Sequence, residues 1–214
     1  MVKVKVCGIT RIEDARLAVD AGVWAVGFVF VQNSPRHITP QKAAEIIENL
    51  PLDVEKVGVF VNSTLDDVAK IAADTGITKI QLHGEETPDY CGKIAEMTGK
   101  KVIKALRIVK EWDVNAINSY KPCVSYILLD SYSGAMHGGT GKAFDWEIAK
   151  KAKNFRVPLI LAGGLTPDNI MKAYKEVKPF ALDLSSGVEQ SKGIKSPELL
   201  LKLKSSIQSH KAKQ

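Results

Sequence analysis

The chain has 214 residues, 45% hydrophobic and 25% charged, with a formal net charge of +6; this suits one large α/β domain or two small ones and is ordinary for a soluble globular protein. The longest uncharged apolar run, residues 23–31, is far short of the roughly 20 residues that span a bilayer, and the start of the chain has no signal-peptide layout, so the reading is cytoplasmic, with no membrane partner. Cys7, Cys91 and Cys123 form no CxxC pair and no even disulfide framework, and His37, His83, His137 and His210 have no metal-ligand spacing.

Val2–Cys7 reads as a strand that alternates through Lys3 and Lys5. Thr10–Ala21 follows as a helix, with Thr10 and Glu13 spaced as a capping box and Gly22 at its end. Ala25–Phe30 is apolar on both faces, as a parallel strand covered by helices should be. Thr39-Pro40 opens the next helix with a cap and a proline at its first position. The cycle repeats through strand 56–61, helix 64–75, strand 79–82, helix 87–97, strand 101–106 and a weak helical segment at 110–119. Strand 125–129, helix 145–153, strand 158–162, helix 166–175, strand 180–184 and helix 197–208 complete it.

Eight strand–helix units predict a parallel sheet with right-handed crossovers. In a chain of this length they predict one (β/α)8 barrel over residues 1–214, ahead of a doubly wound open sheet. Barrel sites sit at the C-terminal ends of the strands. That rule selects Cys7 after strand one, Arg36 and His37 after strand two, Asn62 after strand three, and Gln81 and His83 at strand four. It then selects Arg107 after strand five, Asp130 after strand six, Gly163 and Gly164 after strand seven, and Asp183 to Gly187 at strand eight.

Gly138-Gly139-Thr140-Gly141, Gly163-Gly164 and Ser185-Ser186-Gly187 fall on three neighbouring loops. Glycines let backbone N–H groups close on an anion, so Gly139, Gly141, Gly163, Gly164, Ser185, Ser186 and Gly187 are assigned to a phosphate. No GxGxxG occurs, and Gly141-Lys142 lacks the rest of a nucleotide-binding P-loop. Much of the positive charge lies in the tail, at Lys202, Lys204, Lys211 and Lys213, where a solvated helix face explains it better than a nucleic-acid partner does.

Cys7 and Asp130 are the proton-transfer candidates. A free thiol is only about 3% thiolate at pH 7, so a cysteine base gains from a nearby cation that lowers its pKa. A carboxyl with an ordinary pKa is protonated in about one molecule in a thousand at pH 7. As an acid, Asp130 therefore needs an apolar pocket or a negative neighbour, for which Asp183 is the candidate. Arg36 offers a planar fork for a carboxylate. His83 is open between ligand, proton relay and structural hydrogen-bonder, and Cys91 and Cys123 read as packing.

The segments VKVCGIT, AVGFVF, SPRHI, VGVFVN, QLHGEE, LLD, GGTGKAFDW, AGGLTPDNI and DLSSGVE run nearly end to end along the chain. In them the chain resembles the phosphoribosylanthranilate isomerase family of tryptophan biosynthesis. The resemblance implies an Amadori rearrangement of N-(5-phosphoribosyl)anthranilate, with Asp130 as general acid and Cys7 as general base. It implies that Arg36 holds the anthranilate carboxylate, that Asp183 lies near the reacting centre, and that no metal or organic cofactor is needed; Gln81, His83 and Asp183 are assigned with Arg36 to substrate binding. Related phosphate-binding barrels, indole-glycerol-phosphate synthase or the histidine-pathway isomerase, are expected to carry a lysine or an aspartate where Cys7 stands. A non-catalytic barrel that only binds a phosphorylated ligand is the other alternative. Whether the protein is a monomer or a homodimer stays open.

Overall fold

The computed structural model describes residues 2–108, 111–131 and 146–211. Eight parallel strands close into a barrel in chain order: β1 (Val4–Cys7), β2 (Ala25–Val29), β3 (Glu55–Phe60), β4 (Lys79–Leu82), β5 (Lys101–Ile108), β6 (Tyr126–Ser131), β7 (Leu159–Leu161) and β8 (Ala181–Leu184). Closure occurs where β1 pairs with β8, in a register that sets Lys5 beside Asp183. The helices are α1 (Ile12–Asp20), α2 (Pro40–Glu48), α3 (Leu65–Thr75), α4 (Pro88–Thr98), α5 (Ile117–Tyr120), α6 (Trp146–Ala152), α7 (Ile170–Val177) and α8 (Pro197–Lys211).

The core has two layers because each strand is buried on both sides. Val4, Val6, Phe28, Phe60, Ile80, Leu82, Leu129 and Leu182 face the helices. Ala25, Val57, Ile103, Leu128, Ile160 and Ala181 fill the barrel, whose lower end is closed by Trp24, Tyr126 and Phe180. The alternation of strand one turns its lysines to this inward face: Lys5 is wholly buried inside the barrel, and Lys3 lies 4.1 Å over the Phe180 ring.

The threonine caps at residues 39, 64 and 87 form, each hydroxyl accepting the N–H three residues on. Thr64→Ala should therefore cost about 1 kcal/mol, read as a lower urea midpoint with an unchanged slope. Two other expected helix starts are wrong for tertiary reasons. Thr10 donates its hydroxyl to the Gly193 carbonyl at 2.6 Å, so α1 begins later and has no capping box. At Thr166, the Asn169 side chain accepts the Thr166 N–H, and a turn delays α7 until Ile170. The weak segment before β6 is a 3-10 turn, Glu111–Ala116, leading into the single helical turn of α5. A short hairpin, β9 (Glu189–Ser191) with β10 (Ile194–Lys195), follows β8 and was not anticipated. Its strands are too short to show alternation, and Gly193 at its turn was the one local signal.

Candidate active site

The C-terminal mouth of the barrel encloses a cavity of about 450 Å³. It brings together Cys7, Arg36, Gln81, His83, Asp130, Gly163, Gly164, Asp183, Ser185 and Ser186, contributed by strands and loops from all around the barrel. Gly139 and Gly141, on the loop after β6, lie outside the described residues. Cys91 and Cys123 pack away from the cavity, near helix α4 and before β6.

Cys7 ends β1 in register with Gly27 of β2, where a Cβ would stand 2.8 Å from the Cys7 sulfur. Burial pushes the Cys7 thiol above its usual pKa; Lys5 pulls against this, Asp183 adds to it, and Lys195 also opposes it. The expected cation is thus present, but the buried thiol's pKa is raised and not lowered. Burial likewise drives the Asp183 carboxyl up against the pull of Lys5.

The Asp130 side chain is 36% exposed, and His83 Nε2 lies 3.3 Å from its Oδ2. The Gln81 amide nitrogen lies 3.0 Å from His83 Nδ1. That contact orients the His83 ring so that its Nε2 faces Asp130. Gln81 is thereby a positioning group for His83. Its buried Oε1, and Asp183 Oδ1, have no hydrogen-bond partner among the described residues, and both residues line the cavity. Two desolvated acceptors in a cavity wall suit a ligand with hydroxyl or N–H donors.

Arg36 is held more firmly than a loop arginine normally is. Its stem packs over Gly8, whose φ is +81° and whose Cβ would meet Arg36 Cδ at 2.5 Å. Its Nε and Nη2 donate to the two oxygens of Glu189 at 2.8 and 2.7 Å. Glu189 also accepts from Lys195 Nζ at 2.9 Å, and Lys195 reaches the Cys7 carbonyl at 2.6 Å. Burial pushes the Glu189 carboxyl up, but Arg36 and Lys195 more than offset this, and it stays ionised below the usual range. Lys5, Lys195 and Glu189 are the residues that sequence reasoning missed.

The loops after β7 and β8 interlock. A Cβ on Gly187 would collide with the Leu165 carbonyl and crowd Thr166. Gly187→Ala should destabilise the protein by about 1–3 kcal/mol through overpacking, visible as a lower denaturation midpoint.

The sequence model of the N-(5'phosphoribosyl)anthranilate (PRA) isomerase family matches residues 4–206. The chain belongs to that family. Among curated phosphoribosylanthranilate isomerases, one from Citrifermentans bemidjiense is 50% identical over 203 residues, covering 95% of both chains. The crystal structure of the isomerase from Thermotoga maritima superposes with a TM-score of 0.90 at 40% identity, covering 98% of this chain and 100% of that one. A second solved phosphoribosyl anthranilate isomerase, in complex with reduced 1-(o-carboxyphenylamino)-1-deoxyribulose 5-phosphate, gives a TM-score of 0.87 at 38% identity with the same coverage. Phosphoribosylanthranilate isomerase activity, an intramolecular aldose–ketose oxidoreduction in tryptophan biosynthesis, is the function of this chain. Among the described residues, no helix is long and apolar enough to cross a membrane.

Proposed function

We propose that the isomerisation proceeds by proton transfer between Asp130 and Cys7 on N-(5-phosphoribosyl)anthranilate. Asp130 donates a proton to the ribose ring oxygen, the C1–O bond breaks, and the ring opens to a protonated Schiff base. Cys7, as thiolate, removes the proton from C2. The electron pair left there neutralises the iminium, giving an enolamine that tautomerises to the 1-deoxyribulose ketone. The observation that carries this reading is that an acid and a thiol from opposite halves of the chain line one cavity, next to the glycine-bearing loops after β7 and β8.

The remaining groups fit the same substrate. Arg36 uses Nε and one Nη2 donor on Glu189; a guanidinium has five N–H donors, so three without a partner among the described residues are left to grip the anthranilate carboxylate. Gly163, Gly164, Ser185, Ser186 and Gly187 close on the phosphate, as barrel loops after strands seven and eight do, with Gly139 and Gly141 assigned to the same anion. Gln81 Oε1 and Asp183 Oδ1 accept from ribose hydroxyls. The protein works in the cytoplasm on this phosphorylated small molecule.

The test is the fluorescence of freshly made phosphoribosylanthranilate. Wild type should speed its decay with saturation kinetics in the absence of added metal. A flat trace would transfer the site to another phosphosugar, or to ligand binding without catalysis.

A further inference from the structure

Cys7 works as a base only when ionised, yet it lies in a buried wall of the barrel. Two residues earlier on the same strand, Lys5 turns its side chain into the same interior. It is 0% exposed, and its ammonium donates to Asp183 Oδ2 at 2.9 Å. Lys5 Cε and Cys7 Sγ both lie within 3.2 Å of one point above the Gly27 Cα, so the ammonium arm and the sulfur are neighbours across a position that only glycine leaves open. A buried ammonium is costly unless paired, and one carboxylate oxygen of Asp183 holds it in place.

We propose that Lys5 is a positioning residue for the reaction: an ammonium held by Asp183 behind Cys7, which stabilises the Cys7 thiolate and hands it to the substrate as a base. The proposal rests on Cys7 being that base. Lys5 keeps its proton in this wall, because burial pulls its pKa down but Asp183 and then Cys7 more than offset the pull. Among the described residues, the titratable groups facing Cys7 are Lys5 on its own strand, Asp183 on β8, Lys195 on β10 and Arg36 from the loop after β2, with His83 and Asp130 across the cavity. Among these Lys5 has the strongest pull on the thiol, and Asp183 pushes the opposite way less strongly. At a few ångströms in a low-dielectric wall, one cation changes the thiolate fraction by an order of magnitude or more.

The experiment is the pH dependence of Cys7 carboxamidomethylation by iodoacetamide, followed on the Cys7 peptide by mass spectrometry, in wild type, Lys5→Met and Lys5→Met/Asp183→Asn. Cys91 does not interfere, because burial above all pushes its thiol to about 12. The double variant removes the carboxylate together with its partner, so a folded protein is available if Lys5→Met alone does not fold. The midpoint of Cys7 labelling should rise by about one pH unit or more in Lys5→Met, and by less in the double variant, where the loss of Asp183 acts the opposite way. In Lys5→Met, kcat at pH 7 should fall at least tenfold with KM within a few-fold, and the kcat profile should shift to higher pH. An unmoved labelling midpoint in the folded variants overturns the proposal, because a merely structural Lys5 would alter the melting temperature and leave that midpoint in place. A raised midpoint with kcat unchanged supports the Lys5–Cys7 coupling and instead overturns Cys7 as the base, so the two failures are distinguishable.

Discussion

Cys7→Ser and Asp130→Asn should each lower kcat by about 10²- to 10⁴-fold while KM changes by no more than a few-fold, since a positioned acid or base contributes on that scale. Neither residue belongs to the assigned grips: the carboxylate is given to Arg36 and the phosphate to the loops after β7 and β8. Ground-state binding therefore survives while the transition state loses its proton transfer. A serine hydroxyl at this site is a far weaker base than a thiolate, and an asparagine amide has no acidic proton to give the ring oxygen. Stopped-flow fluorescence at saturating substrate separates the two parameters. Full activity in Cys7→Ser would move the base elsewhere. Full activity in Asp130→Asn would shift the acid role to its neighbour His83, whose Nε2 faces Asp130 at 3.3 Å.

The largest stability effect is expected at Lys104, far from the reacting groups. Its ammonium is 1% exposed and donates to Glu86 Oε2 at 2.8 Å beneath the loop that follows β4. Glu86 also accepts the Asn62 and Gly84 N–H groups, at 2.8 and 2.9 Å to its nearer oxygens, so this one carboxylate ties the loops after β3 and β4 together. Lys104→Met leaves that carboxylate buried without its cation and should cost about 3–5 kcal/mol. Lys104→Met/Glu86→Gln should recover part of the loss, because the glutamine oxygen still accepts a backbone N–H and carries no charge.

The pH dependence follows from Glu86. Burial pushes its carboxyl up, but Lys104 and the Asn62 N–H outweigh that, and its pKa lies below the usual glutamate range. A carboxyl depressed in the folded state adds stability above its unfolded pKa, and this is lost as pH falls through the folded value. The gap between wild type and Lys104→Met should thus be widest near neutral pH and narrow below about pH 4. Urea unfolding at a series of pH values measures it, and a gap independent of pH would remove Glu86 as the cause.

Much of the fold was legible because its signals are local. Strand and helix alternate within a few residues, threonine caps bond three residues on, and glycines mark turns next to themselves. The rule that barrel sites follow strand ends then carried Cys7, Arg36, Gln81, His83, Asp130 and Asp183 to one cavity, while His37, Asn62, Arg107 and Gly187, which it also selected, do not line it. The sequence by itself thus determined the barrel class, the order of its elements and the chemistry-bearing residues at its mouth. Only the tertiary structure decided what those residues touch. Lys5 and Asp183 are 178 positions apart, Arg36 and Glu189 are 153, and Lys195 and the Cys7 carbonyl are 188. Closing β8 against β1 makes these neighbours, and it turns the polar face of β1 inward. The raised pKa of Cys7 has the same origin, since burial and buried charge are properties of the closed barrel and of no local stretch of chain.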